Sequence, residues 1–252
     1  MSGVEVAYLT DPACPWSWAA EPQVRRIALE FGAAVRFTYV MRGLARTPAD
    51  GPAVAREALE ASAASGMPVD PRLWLERPPA STNPACLAVK AAGEQGRDGE
   101  LLRCLREGFF LDGAPLDTAD GLLAAARTLP GLDAARLAID LRSSATVEAF
   151  GADLERVAPH VAQPGPLFLV GGAPVAPDAL RDALLAAGAE PSWAAEPGVE
   201  EAVALLGRAS VAELAAVCGL PAARAAMELW RLAGEWRVLP ERVLAADVWR
   251  TA

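Results

Sequence analysis

The chemistry this 252-residue chain can carry out centres on Cys14, one of four cysteines, and on Ser17 three residues later. Both lie in Asp11-Pro12-Ala13-Cys14-Pro15-Trp16-Ser17-Trp18, after an apolar run from Val4 to Leu9 and before the amphipathic stretch Glu21 to Phe31. The run reads as a strand and the stretch as a helix, which puts Cys14 at a strand-to-helix turn. Unpaired backbone N–H groups and the helix dipole favour a thiolate there. Pro15 suits a first helical turn, where its missing N–H costs nothing. A thiolate in this setting attacks a disulfide and forms a mixed disulfide. A cysteine at position 17 would resolve that bond internally, but Ser17 cannot. Its hydroxyl can instead donate to the sulfur and lower its pKa. Resolution then requires an external thiol such as glutathione, which points to monothiol exchange or isomerisation rather than net dithiol oxidation.

The other candidate groups are scattered. Cys86, Cys104 and Cys218 form no C-x-x-C pair, and His160 is the single histidine, so a zinc site is not expected. Cys86 opens a helix expected to face the site and is the one candidate for a remote resolving thiol; Cys104 and Cys218 fall on apolar helix faces and read as core. His160 lies shortly before Pro166 and is a weaker candidate for approach to Cys14. Trp16 is expected to line an apolar groove, and Trp18 to pack inside.

These residues need a scaffold, and the composition provides for one. Apolar residues make up 53% of the chain, enough for a sizeable core. The net charge of -9 argues against general nucleic-acid binding. The N-terminus lacks a basic region followed by an apolar signal segment, and no run approaches the ~18 residues of a membrane span. A cytoplasmic protein with reduced thiols, and no membrane partner, is the expectation.

Val35 to Met41 alternates as a second strand, so strand, helix and strand suggest a parallel βαβ opening. From about residue 45 to 160, prolines separate helical stretches near Ala53–Ala64, Ala85–Gln95, Glu100–Phe110, Ala119–Leu129, Ala134–Leu141 and Val147–Val157. They are expected to form a lid near Cys14. Strand character returns at Pro166 to Val170 and, after Gly171-Gly172, at Ala173 to Val175, reading as a hairpin. A helix from Pro177 to Ala187 and a linker from Gly188 to Pro197 follow. Val199–Arg208, Val211–Val217 and Pro221–Glu235 then read as three helices, with Ser210 and Glu213 at capping-box spacing and an extended tail. That order resembles a winged helix-turn-helix. However, six arginines face eight acids from Glu196 onward, which opposes a DNA-binding surface and favours dimerisation or partner docking.

Three motifs together resemble the DsbA-like thioredoxin-fold family, nearest its cytoplasmic FrnE-type and SpxH-type branch. They are Asp11-Pro12-x-Cys14-x-Trp16-x-Trp18-x-x-Glu21-Pro22, Pro79 to Ala85 with the helix Ala88 to Ala92, and Gly165-Pro166-Leu167-Phe168. The resemblance implies an α/β thioredoxin-like domain over residues 1–190 with a large helical insertion, followed by a small, mainly helical, winged-helix-like module over 196–252. It implies a catalytic pair, Cys14 and Ser17, and a substrate groove of Pro15, Trp16, Gly165 and Pro166, with Pro166 cis beside Cys14. It implies no bound cofactor or metal, with glutathione as co-substrate and a protein or peptide thiol or disulfide as partner. Ser17 departs from the family's second cysteine, and Gly165 stands where a β-branched residue is common. Two other functions fit the same residues. One is a redox-inactive adaptor that holds a client in the groove. The other is a kappa-type glutathione transferase or isomerase that uses a serine near the helix start, against which Cys14 at the first motif position weighs.

Overall fold

The computed structural model describes residues 3–45, 50–163 and 165–252. The chain opens as expected: β1 (Val4–Thr10), a five-residue helix α1 (Pro15–Ala19), α2 (Glu21–Phe31) and β2 (Val35–Met41). Pro22, within the first turn of α2, has no N–H to continue an α1 ladder, so two helices form instead of one. β1 and β2 pair in parallel, with Val4 opposite Val35 and Thr10 opposite Met41. The insertion that follows is helical: α3 (Gly51–Ser65), α4 (Arg72–Glu76), α5 (Asn83–Gly93), α6 (Asp98–Glu107), α7 (Ala119–Arg127), α8 (Ala134–Asp140) and α9 (Ser144–Val157). Side chains of Asp50, Thr118, Asp133 and Ser143 cap α3, α7, α8 and α9 by accepting from first-turn N–H groups.

The chain returns to the sheet as β3 (Leu167–Val170) and β4 (Ala173–Val175), then forms α10 (Leu180–Ala186). β3 lies antiparallel to β1 and β4 antiparallel to β3, giving the order β2-β1-β3-β4. Alternation along β1 divides the core. Val6 and Tyr8 pack with Val24, Ile27, Phe31 and Phe168, whereas Ala7 and Leu9 pack with Val40 and Val157 on the other face. This is a thioredoxin-like α/β fold with a helical insertion.

The last segment contains α11 (Val199–Leu206), β5 (Ala209–Ser210), α12 (Val211–Val217), α13 (Ala222–Gly234), β6 (Val238–Val243) and β7 (Ala246–Thr251). The Ser210–Glu213 capping box is present at the start of α12. The extended tail is in fact a hairpin, and with β5 it makes a sheet of order β5-β7-β6. This segment does not stand apart. Val243 and Val248 belong to the same buried cluster as Met41, Met67 and the insertion helices. The connector is pinned as well, because Ser192 N donates to the Glu30 carbonyl at 2.6 Å.

Two further differences from expectation have local causes. α4 is only five residues long and sits between Pro71 and Pro78, too short for any periodicity to register. No peptide bond among the described residues is cis, so Gly165–Pro166 is trans. Gly165 takes φ +74°, a left-handed turn open to glycine, and the chain enters β3 without a cis bond.

Candidate thiol site

The turn after β1 holds Cys14 as the N-cap residue of α1, with extended backbone (φ −79°, ψ 117°) and its sulfur accepting from Ser17 N at 3.4 Å. Pro15 occupies the first turn, as its φ preference dictates. The cysteine is only 4% exposed. Burial pushes the Cys14 thiol above its ordinary pKa, and this outweighs the Ser17 hydroxyl and the Ser17 N–H, which both pull it down. The expectation of a helix-activated thiolate thus meets an opposing desolvation cost, and a five-residue helix offers little dipole against it.

Beneath the sulfur runs a chain of polar groups. Thr10 Oγ1 donates to Ser17 Oγ at 2.8 Å. Arg106 of α6 donates in turn to Thr10 Oγ1 and to the Tyr8 hydroxyl, the latter at 3.3 Å, and pairs with Glu21. Arg106 is 1% exposed, so this is a buried cation held by a buried carboxylate.

Asp11 ties the turn to its surroundings. It is fully buried, accepts from Ala13 N at 2.8 Å and Leu44 N at 2.9 Å, and takes bonds from the Thr82 hydroxyl at 3.2 Å and the Cys86 thiol at 3.3 Å. Cys86 is therefore a donor to a carboxylate. Burial and Asp11 raise its pKa well above the ordinary value. Cys104 rests against the Ala125 carbonyl and Thr128, and Cys218 packs in the core of the last segment with a pKa pushed up to about 11 by burial.

Cys14 lines a cleft of about 460 Å³, with Pro15, Arg42, Trp74, Thr82 and Gly165 among its walls. α3 contributes Val54 and Glu57, so the insertion does cover the cysteine. Arg42 fastens the far wall by donating to the carbonyls of Gly165 and Gln163, the latter at 2.8 Å. A Cβ built on Gly165 would lie 3.4 Å from Trp16 Cβ, which puts the half-buried Trp16 beside the loop that leads into β3. Trp16 and Pro166 flank the cleft without lining it. Trp18 is an interior residue; its Nε1 donates to the Pro68 carbonyl at 2.8 Å, its ring stacks on Phe110 and Arg103 sits over it. His160 is itself half-buried, at the end of an otherwise exposed 3-10 turn outside the cleft walls.

Sequence reasoning missed Thr10, Arg42, Trp74 and Arg106. Arg106 did leave a trace, because it lies on the buried face of α6 with Leu101, Leu102 and Leu105, where a charge needs a partner. Among the described residues, no cluster of histidine, cysteine or carboxylate side chains is arranged to hold a metal ion. No helix among them is long and apolar enough to cross a membrane.

Comparison with known proteins agrees with this geometry. Residues 8–161, more than half of the chain, match the thioredoxin family. The chain belongs to that family. Curated relatives of this thioredoxin-family protein include the ClpXP adapter protein SpxH of Halalkalibacterium halodurans, 33% identical over 165 residues. That of Bacillus subtilis is 30% identical over 163 residues. The matched region is 60% of this chain and 53% of either relative, so the chain spans about half the length of the curated relatives it matches. Among solved structures, a putative protein disulfide isomerase from Nitrosomonas europaea aligns with TM-score 0.61 at 19% identity, covering 73% of this chain and 97% of that one. The cytosolic disulfide reductase DsbM from Pseudomonas aeruginosa, with GSH, aligns with TM-score 0.62 at 16% identity, covering 73% and 98%. At these identities the likeness is one of fold.

Proposed function

We propose that this protein performs thiol–disulfide exchange with a single sulfur, that of Cys14. The observation that carries the proposal is the placement of the thiols. Cys14 lines a cleft with Ser17 against it, whereas Cys86 is committed to Asp11 and Cys218 to an interior site. In the first step Cys14 loses its proton to solvent, and its thiolate attacks one sulfur of a client disulfide. A Cys14–client disulfide forms and the client's other sulfur leaves as a thiolate. In the second step an external thiolate attacks the client sulfur of that bond and expels the Cys14 thiolate, which takes up a proton. Glutathione fits the second role in a chain without a resolving cysteine, and a protein of similar fold has been solved with GSH. Leaving-group ability falls as thiol pKa rises, so a buried Cys14 releases its client slowly and the mixed disulfide persists. Exchange with a peptide disulfide should vanish in Cys14→Ser; full activity in that variant would overturn the proposal.

The curated relatives support a second reading. They are named as adapter proteins, and a cleft that holds a client for long periods suits an adaptor too. On this reading Cys14→Ser retains the client, and residues 196–252 act as a docking or dimerisation module beside a thioredoxin domain of residues 1–190. Both readings put the protein in a reducing, cytoplasmic setting.

A further inference from the structure

We propose that Arg106 is a positioning residue for the Cys14 sulfur, acting through Thr10 and Ser17 to fix which way the hydrogen-bond chain beneath the thiol points. The proposal rests on the reading of Cys14 as the exchanging thiol.

The argument is one of proton counting. An arginine side chain only donates, whereas threonine and serine hydroxyls each have one proton to give and lone pairs to receive. Arg106 donates to Thr10 Oγ1, so that oxygen must act as an acceptor on this side. Thr10 then gives its single proton to Ser17 Oγ at 2.8 Å. Ser17 Oγ accepts there, so its own proton remains available, and among the described residues it donates to no other oxygen or nitrogen. The Cys14 sulfur, which accepts from Ser17 N at 3.4 Å, is the acceptor left to it, and a proton turned that way would favour the charged sulfur. Without Arg106, Thr10 is free to accept from Ser17, which turns the serine proton away from the sulfur.

Arg106 is held firmly enough to impose this polarity. It is 1% exposed and lies over the Tyr8 ring, 5.4 Å from its centroid. It pairs with Glu21, whose other oxygen accepts from Arg103 at 3.0 Å. It lines a second cavity that shares no lining residue with the Cys14 cleft. A client entering the cleft therefore leaves this machinery undisturbed.

The experiment is the pH profile of Cys14 alkylation by iodoacetamide on the full-length protein, read at the Cys14 peptide by mass spectrometry. Thr10→Val keeps the volume and the Arg106–Glu21 pair but breaks the chain, and should move the profile midpoint up by about one pH unit. Thr10→Ser should restore it. Arg106→Lys, which keeps the charge but loses the two-way fork, should shift it in the same direction as Thr10→Val. An unmoved midpoint in a folded Thr10→Val protein overturns the proposal while leaving the exchange reading intact. A wild-type Cys14 that resists alkylation across the whole pH range overturns the exchange reading, and this inference falls with it.

Discussion

At the scale of single residues, the behaviour of Cys14 follows from a contest between burial and donors. Desolvation raises the thiol pKa, and Ser17 opposes it from backbone and side chain. The balance favours the neutral thiol, in a turn with no second sulfur. Supplying that second sulfur should change the chemistry. In Ser17→Cys the Cys14 mixed disulfide should collapse to an intramolecular bond between Cys14 and the introduced thiol, and trapped adduct should fall to less than roughly a tenth of the wild-type amount. Intact-mass measurement after reaction with glutathione disulfide checks this. The motif residues themselves were legible in the sequence, because a cysteine, a proline and a serine between a strand run and a helix run have few structural options. The sign of the Cys14 shift was not legible. It depends on how deeply the insertion buries the sulfur, which is a property of tertiary packing.

At the scale of elements, the site is a turn, a loop and a helix fixed to one another by buried polar side chains. Asp11 holds the turn after β1 to the loop after β2 and to α5, and Arg42 holds the loop ahead of β3. The short α1 fits because Pro15 starts it and Pro22 prevents its fusion with α2. Gly165 is the weak point of this arrangement, with φ +74° and Trp16 close by. Gly165→Ala should cost about 1 kcal/mol of stability through left-handed backbone strain, read as a lowered denaturant midpoint. The long helices and paired strands could be read from periodicity and caps. Two of the elements that escaped, α4 and the β6–β7 hairpin, did so for different reasons. α4 is shorter than two helical turns, and a hairpin closed by Leu244 with φ +48° carries none of the glycine or asparagine that ordinarily marks such a turn.

At the scale of the molecule, the last segment is joined to the thioredoxin core by charge as well as by apolar packing. Glu213, fully buried in α12, pairs with Arg25 of α2 at 2.9 Å and Arg103 of α6 at 2.7 Å. Burial alone would raise its pKa, but the two guanidiniums and the Ser210 N–H outweigh it and bring the carboxyl down to about 2. Because the folded pKa lies below the ordinary 4.5, the stabilisation is present above pH 4.5 and is lost as pH falls toward 2. Glu213→Gln should be less stable than wild type by about 3 kcal/mol at neutral pH, since it leaves buried arginines short of a partner. The gap between the two proteins should narrow steadily below pH 4.5 in chemical denaturation. None of this was visible in the sequence beyond the Ser210–Glu213 cap. A capping glutamate at that spacing gives no hint that two arginines more than a hundred residues away will meet it.

The most direct test of the central claim is to expose the full-length protein to excess glutathione disulfide and locate the added mass by peptide mapping. A single glutathione adduct on Cys14, absent in Cys14→Ser and removed by added reduced glutathione, is the predicted result. An unmodified Cys14, or an adduct spread over Cys86, Cys104 and Cys218, would contradict it.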